Sequence, residues 1–241
     1  MSLAGELAPV SSRTTIGDGV YQQLRDALMV GRFDPGQTLT ISALATTFGT
    51  SHMPVREALR RLAAENALEV SSGGSARVPA VSVARLDDLC RARVLVEALA
   101  TEMATARMTP AILAQLETIV SEHEALSDEK HVYDMLDRNR AFHFAIYRQS
   151  GSEVLLQIID SLWLRYGPYM RMLSTHIAPL LSTGLHEPFT HHHHAIIEAM
   201  RVGDSDTAKA EMVADINDTL SLLRELCERN VRKSGKSAPR N

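Results

Sequence analysis

Four consecutive histidines occupy residues 191–194 of this 241-residue chain and lead into the apolar pattern AIIEAM. Imidazole can accept a proton in a buried network, act as a general base or bind a metal ion. Successive residues of a helix are rotated by about 100°, so at most one or two of the four can face the same interior point. His193 lies three residues before Ile196 and shares its predicted buried side. The pattern therefore singles out His193 and predicts that His191 and His192 are solvated.

His143 is a second histidine in a helical pattern, four residues after Asn139 in the segment DRNRAFHFAIYRQSG. Two side chains at this spacing lie on one helix face, which is a natural arrangement for a pair of metal ligands. The same spacing also suits a buried histidine that is hydrogen-bonded to a polar neighbour. The residues alone leave both interpretations open.

The region that must position these residues is predicted to be helical from about Leu86 to Arg229, because its apolar residues recur every three or four positions. The predicted helices are 86–107, 110–126, 130–149, 152–172, 188–202 and 205–229. Residues 173–187 are rich in Ser, Thr, Pro and Gly, which predicts a loop between two of these helices.

Three shorter helices are predicted ahead of this region, at about 18–30, at 41–48 and from Ser51 onwards. Two short strands, LEV at 68–70 and ARV at 76–78, then flank the Gly-rich turn SSGGS. Three helices followed by a hairpin are the elements of a winged helix-turn-helix.

The third predicted helix carries basic residues on one face. His52, Arg56 and Arg60 recur every four residues, with Arg61 beside them. Arginines on the exposed face of such a helix can enter the major groove of DNA and bind base edges or phosphates. A solvated face of an ordinary amphipathic helix would show the same pattern, so the hairpin is needed to favour DNA binding.

The charge distribution limits where nucleic acid can bind. Residues 1–78 hold seven Arg and seven acidic residues, whereas residues 79–227 hold 13 basic and 21 acidic residues. The last fourteen residues carry five basic residues and one acidic residue. The acidic middle region would repel DNA, so a DNA contact is expected from the N-terminal head or from the tail.

Composition also predicts the compartment. No apolar run approaches the roughly 18 residues of a membrane span, and no signal peptide opens the chain. The two cysteines, Cys90 and Cys227, lie in helical patterns and are expected to be buried thiols. A cytoplasmic protein with no membrane partner is therefore expected.

The segment LRDALMVGRFDPGQTLTISALATTFGTSHMPVREALRRLAAENALEV resembles the head of GntR-family transcriptional regulators. The family pattern is a first helix ending in Gly, then xPGxxL, LAxxxGxS and PVREALxRL, and all four pieces stand here in order. The helical remainder resembles the C-terminal (FCD-type) domain of the FadR branch. The resemblance implies a mainly α fold, in which a winged helix-turn-helix precedes an all-α antiparallel helical bundle.

The predicted domain boundaries follow from the helical patterns, the composition of the two chain ends and the resemblance together. They are a flexible N-terminus at 1–15, a DNA-binding head at 16–78, a linker at 79–85, an effector-binding and dimerisation domain at 86–229 and a disordered basic tail at 230–241. The DNA-contacting residues implied by the resemblance are Ser51, His52, Pro54, Arg56, Arg60 and Gly74. Because the head is neutral, tight binding is expected to need a homodimer on a palindromic operator of double-stranded DNA.

The resemblance also implies a divalent metal site. The ligand positions of metal-binding FadR-type domains fall on Asn139, His143, His193 and Asp215, with Asn in place of the usual Asp and Asp in place of the final His. Loss of one imidazole should favour manganese or magnesium over zinc or nickel. The alternative is a metal-free polar pocket in which Asp215 holds a histidine by hydrogen bonds.

Effectors in this branch are commonly small organic acids or sugar acids, and Arg93 falls on the family's R-x-x-x-E position. A structural i,i+4 ion pair with Glu97 is the alternative for Arg93. The implied function is a ligand-responsive transcriptional regulator, with repression expected. The competing hypothesis is a small helical metalloenzyme in which His143, His193 and Asp215 activate water.

Overall fold

The structure is a computed structural model that describes residues 16–70, 75–181 and 189–236. Its head consists of α1 (Ile16–Met29), β1 (Thr38–Leu39), α2 (Ile41–Phe48), α3 (His52–Ala64), β2 (Glu69–Val70) and β3 (Ala76–Arg77). The three strands form one antiparallel sheet in the order β1-β3-β2, in which Ala76 pairs with both Leu39 and Val70. The sequence predicted the last two strands and missed β1, which is only two residues long.

Local sequence signals explain where the head helices begin and end. The Thr40 hydroxyl caps α2 by accepting a hydrogen bond from the Ala43 N–H, and Gly49 ends the same helix with a left-handed φ of 61°. The apolar side of α3 is buried and consists of Val55, Ala58, Leu59 and Leu62. This side packs on α1, so the opposite face of α3 is left to solvent.

The helical domain consists of α4 (Val83–Thr105), α5 (Pro110–Glu124), a 3-10 turn (Glu129–His131), α6 (Val132–Arg148), α7 (Glu153–Leu181), α8 (His191–Arg201) and α9 (Ser205–Lys236). Helix α4 packs on α7 and α9, α8 packs on α5 and α9, and α5 packs on α6. This arrangement confirms the predicted fold class of a winged helix-turn-helix followed by a helical bundle. No helix among the described residues is long and apolar enough to cross a membrane.

Helices α7 and α9 extend beyond their predicted limits. The predicted loop at 173–187 is wrong for residues 173–181, because α7 continues to Leu181 and buries Leu173, Ile177 and Leu181 at four-residue spacing. Residues 182–188 lie outside the described residues. Helix α9 continues to Lys236, so the prediction of a disordered tail at 230–241 is wrong for residues 230–236.

Helix α4 begins at Val83, inside the expected linker at 79–85. The Ser82 side chain accepts a hydrogen bond from the Arg85 N–H and caps the helix. The predicted flexible N-terminus at 1–15 lies outside the described residues.

The head packs directly on α7. Gly31 has a φ of 72°, and a Cβ at this position would lie within 3.0 Å of the Arg171 backbone. Arginines of the helical domain and acids of the head reinforce the contact through the pairs Arg171–Asp34 at 2.6 Å and Arg140–Asp26 at 3.1 Å. A further pair of the opposite polarity joins Arg25 to Asp160. The head is therefore docked on the helix that also lines the cavity described below.

Candidate DNA-binding face and ligand cavity

The exposed face of α3 presents the residues expected to contact DNA. Ser51, His52, Arg56 and Arg60 are exposed, and Pro54 is half-buried in the first turn. Among the described residues, neither Arg56 nor Arg60 forms an ion pair or a side-chain hydrogen bond. Both guanidinium groups are thus available for base edges or phosphates. Gly74 lies outside the described residues.

Arg61 does not belong to this face, although its neighbours suggested that it would. Its guanidinium binds the Asp18 carboxylate at 2.7 Å and lies 3.8 Å over the ring of Tyr21. The Tyr21 hydroxyl in turn donates to Glu65 at 2.7 Å. Arg61 therefore holds α3 against α1.

The helical domain encloses a cavity of about 500 Å³. Its polar wall consists of Arg93, His123, Asn139, His143 and Asp215. Its apolar and aromatic wall consists of Met135, Leu136, Trp163, Tyr166, Met170, Leu173, Ile177, Leu180, Phe189, Ile216 and Leu222. The first turn of α8 and the facing turns of α9 complete the lining with His191, His192, Asp218, Thr219 and Ser221. A small molecule with one polar end fits such a cavity.

Three of the four predicted metal ligands lie close together, with His143 and Asp215 in the polar wall and His193 beside Asp215. His143 Nε2 lies 3.4 Å from Asp215 Oδ2, and His193 Nε2 lies 3.7 Å from Asp215 Oδ1. Bonds of about 2.0–2.2 Å to one cation place neighbouring ligand atoms about 3–3.5 Å apart, so the three groups have nearly the spacing of a shared ion. Asn139 lines the same cavity one helical turn before His143.

His193 is fully buried, and neither of its ring nitrogens has a hydrogen-bond partner among the described residues. The ring of Phe142 stacks on it at 4.1 Å. An unsatisfied buried nitrogen costs about 1–3 kcal/mol, which a bound cation would offset. His143 differs, because its Nδ1 pairs with the Tyr147 hydroxyl at 3.2 Å and its Nε2 is left facing Asp215. The donor set therefore fits a divalent cation.

Burial sets the protonation of this site. Desolvation raises the pKa of Asp215 to about 7, although the nearby Arg93 lowers it. Desolvation lowers the pKa of His143 to about 3 and that of His193 well below its usual range. The imidazoles are consequently neutral near pH 7 and able to act as ligands, while the buried carboxylate lacks the compensating charge that a cation would supply.

Arg93 forms the buried ion pair that was the alternative to effector binding. Its guanidinium donates to Glu97 at 2.7 and 3.2 Å and lies 4.7 and 4.4 Å from the rings of Trp163 and Tyr166. Glu97 also accepts hydrogen bonds from Tyr147 at 2.6 Å and from Trp163 at 3.1 Å. Arg93 nevertheless lines the cavity, where its charge is balanced by Glu97.

Sequence models of two families match the chain. The model of the bacterial regulatory proteins of the gntR family matches residues 16–78, and the FCD domain model matches residues 88–218. The chain belongs to the GntR family. It is an FCD-domain member of that family and a DNA-binding transcriptional regulator.

Individual relatives agree with this assignment. The HTH-type transcriptional regulator McbR of Escherichia coli K12 is 30% identical over 204 residues, which are 85% of this chain and 90% of McbR. The HTH-type transcriptional repressor GlaR of the same organism is 32% identical over 148 residues, 59% of this chain and 67% of GlaR. Because these relatives are named as transcriptional regulators, the hypothesis of a metalloenzyme is set aside.

Solved GntR-family structures have the same architecture. The structure of E. coli McbR/YncC superposes with a TM-score of 0.78 at 26% identity and covers 88% of this chain and 99% of its own. A transcriptional regulator, GntR, from Rhodococcus sp. RHA1 superposes with a TM-score of 0.70 at 19% identity and covers 86% and 96% of the two chains, which shows the shared fold.

The prediction that His192 is solvated is wrong for this GntR-family protein. The side chain of His192 is 13% exposed, with Nδ1 2.7 Å from Glu211 Oε2 and Nε2 3.1 Å from Asp218 Oδ2. His191 is 67% exposed, in agreement with the prediction. Helix α9 supplies the two carboxylates, and a helical wheel of α8 alone cannot reveal them.

Sequence reasoning also missed His123, which lines the cavity. It is buried on α5, and its ring lies 5.9 Å from that of His193. Desolvation lowers the pKa of His123 to about 4, against the opposing charge of Glu124. The apolar spacing of Leu116 and Ile119 ahead of His123 would have placed it on the buried face of its helix.

Proposed function

We propose that this regulator is a homodimeric repressor whose FCD domain binds a small carboxylate next to a divalent cation. The observation that carries the proposal is the buried, unpartnered imidazole of His193 beside Asp215 and His143. Asn139, His143, His193 and Asp215 would hold the cation. When bound, the ion would neutralise the buried carboxylate and offer an open coordination position to an anionic ligand.

The lining of the cavity favours an organic acid with an apolar body over a sugar acid. The Arg93 guanidinium, although paired with Glu97, supplies N–H groups at the polar end, and the buried Tyr166 hydroxyl has no oxygen or nitrogen partner among the described residues. Beyond them the wall is formed by aliphatic side chains such as Leu173 and Ile177. Sugar hydroxyls placed against these side chains would lose hydrogen bonds to water without replacement.

Helix α7 connects this cavity to the head. Trp163, Tyr166 and Met170 line the cavity, while Gly167 and Arg171 on another side of the same helix contact the head. A ligand that shifts α7 by a small amount would therefore reposition the docked head. We infer that effector binding changes the spacing of the two heads of a dimer, so that they no longer match the half-sites of a palindrome.

Two exposed apolar pairs support dimerisation through the helical domain. Leu95 and Leu99 on α4 are 72% and 44% exposed, and Val154 and Ile158 on α7 are 67% and 43% exposed. Each pair has the i,i+4 spacing of one helix face, and the two helices pack against each other. We infer that the two pairs belong to one surface, on which a second copy docks by two-fold symmetry and buries all four residues in both copies.

The proposal is tested by mobility shifts of DNA from upstream of the protein's own gene, with parallel measurements of melting temperature. Protein treated with a chelator is compared with protein given Mn²⁺ or Zn²⁺, and a panel of apolar carboxylates and sugar acids is then added. We expect the cation to raise the melting temperature and a carboxylate to raise it further and release the DNA. If neither cation nor carboxylate changes the melting temperature or DNA binding, the sensor part of the proposal is wrong.

A further inference from the structure

We propose a second divalent-cation site at the first turn of α8, formed by His191 and His192 with Asp218 of α9. It differs from the buried site because it uses two other histidines of the run and another carboxylate. The groups also line the cavity, at a part of its wall that is open to solvent. The inference is independent of whether the buried site binds metal.

The donor atoms are already close together. His192 Nε2 lies 3.1 Å from Asp218 Oδ2, His191 Nε2 lies 3.9 Å from the same oxygen, and the three ligand atoms lie within 4.8 Å of one another. Ligand atoms that share a zinc ion are about 3–3.5 Å apart. Only His191 must move closer, and its side chain is 67% exposed, so rotation in solvent can bring it in.

Glu211 orients the central ligand. Its carboxylate lies 2.7 Å from His192 Nδ1 and accepts the proton of this nitrogen. Without a cation, Nε2 donates its own proton to Asp218 at 3.1 Å, and a bound cation would replace that proton and take the Nε2 lone pair. A carboxylate that holds the second ring nitrogen of a metal-bound histidine is a recurrent feature of zinc sites. Asp218 itself is 68% exposed and can turn one oxygen towards an ion.

The donor set selects the class of cation. Imidazole nitrogens are two of its three protein donors, against two of four at the buried site, where Asn139 adds an oxygen. The nitrogen-rich set of this second site therefore prefers Zn²⁺, Ni²⁺ or Cu²⁺ over Mg²⁺ or Ca²⁺, which prefer oxygen ligands. With three protein ligands, a tetrahedral ion keeps one position for water or for a ligand in the cavity. The expected occupant is therefore Zn²⁺, bound more weakly than at a fully buried site because water competes for exposed ligands.

The experiment counts Zn²⁺ per full-length chain by equilibrium dialysis and elemental analysis. The outer site, which is the site proposed here at His191, His192 and Asp218, is removed by His191→Ala and by Asp218→Asn, both at exposed positions. The buried site is removed by His193→Ala and, as a second variant in case that one fails to fold, by Asp215→Asn. His194→Ala is the matched control, because His194 is exposed, belongs to the same run and pairs instead with Glu124 at 2.8 Å.

We expect His191→Ala and Asp218→Asn each to bind one equivalent less than the parent, and His194→Ala to bind as much as the parent. The Zn²⁺ retained by His193→Ala or Asp215→Asn should be lost when His191→Ala is added. Glu211→Gln should weaken this retained Zn²⁺ about 10- to 100-fold. The proposal is overturned if His191→Ala and Asp218→Asn bind as much Zn²⁺ as the parent. It is also overturned if both buried-site variants, folded by circular dichroism, bind none. If the outer-site variants lose Zn²⁺ and the buried-site variants keep as much as the parent, the result supports the outer site and counts against the buried site.

Discussion

Gly167 of α7 lies against the backbone carbonyl of Leu28 in α1, so closely that a Cβ at position 167 would come within 3.0 Å of that carbonyl. This contact joins the head to the helix that lines the cavity. Glycine costs about 0.5–1 kcal/mol in a helix relative to alanine, so its presence here is explained by the close approach of two backbones.

Gly167→Ala is expected to destabilise the protein, because the clash with α1 outweighs the gain in helix propensity. Overpacking of this kind costs about 1–3 kcal/mol. Gly19→Ala is the matched control, since Gly19 is also helical and a Cβ there would meet no atom within 4 Å among the described residues. Urea denaturation should give a lower free energy of unfolding for Gly167→Ala than for the parent, and an undiminished one for Gly19→Ala. Equal stability of the two would mean that the head is not docked through this contact.

The head and its basic face were predictable from sequence because short motifs fix turns, caps and a helical face at known spacing. Arg61 was misplaced because its partners Asp18 and Tyr21 lie 43 and 40 positions earlier in the chain. A helical pattern identifies one face of α3, but it does not show which neighbouring helix supplies an acid or a ring.

The cavity was less predictable for a similar reason. Serine, threonine and proline indicated a loop after residue 172, yet burial of Leu173 and Ile177 against the bundle outweighs these weak local preferences. The proximity of the buried His143, His193 and Asp215 was predicted from the family resemblance, because the periodicity of each helix does not show which helices face one another. His192 was misjudged because its partners, Glu211 and Asp218, are 19 and 26 residues away.

Arg56→Ala is expected to weaken specific operator binding about 10- to 100-fold, because a guanidinium that binds a base edge contributes about 1–3 kcal/mol. Its melting temperature should be unchanged, since Arg56 has no ion pair among the described residues. Arg61→Ala should behave in the opposite way, with lower stability from the loss of its Asp18 and Tyr21 contacts. Mobility shifts and thermal melts of both variants test this. Unchanged DNA binding by Arg56→Ala would remove it from the interface.

Asp215→Ala and His193→Ala are expected to abolish most of the rise in melting temperature that Mn²⁺ gives the parent. Asp215 is the only carboxylate among the four proposed ligands of the buried site, and His193 is its fully buried imidazole. Each variant is compared with its own chelator-treated form, so that any loss of intrinsic stability cancels. His194→Ala should respond to Mn²⁺ as the parent does. A full response in His193→Ala would show that the wrong histidine of the run was chosen.

The metal-free protein is expected to lose stability as the pH falls from about 6.5 to about 4, in part through His123. Its folded pKa of about 4 lies below the value near 6.5 of an unfolded histidine, so the unfolded state binds more protons in this window. The contribution of His123 to the free energy of unfolding, present above about pH 6.5 and lost by about pH 4, is on the order of 3 kcal/mol. His123→Gln should flatten the pH dependence of unfolding by urea in a chelator. The pKa of Asp215 is raised to about 7, so its protonation stabilises the folded state as the pH falls. This opposite effect is the same in the parent and in His123→Gln and does not alter the difference between them. An identical pH dependence in the two proteins would contradict this protonation state.

Leu95→Glu is expected to convert the dimer to a monomer and to weaken operator binding. Leu95 is 72% exposed in the single chain, so the substitution costs the folded monomer little. In a two-fold dimer the substitution would remove one buried leucine from each copy, and the burial of each contributes about 1.5–3 kcal/mol to association. It would also bring two glutamates to one interface. Val202→Glu is the control, because Val202 is 76% exposed but lies at the end of α8.

Light scattering gives the mass of each variant, and mobility shifts at physiological salt give its operator affinity. A monomeric Leu95→Glu protein should bind one half-site weakly, since the head carries as many acids as arginines and attracts phosphate little. The affinity lost should exceed the loss from any single base contact, because the whole second half-site is removed. A dimeric Leu95→Glu protein would place the interface elsewhere, and a monomer that binds the palindrome as tightly as the parent would show that dimerisation is not the source of affinity.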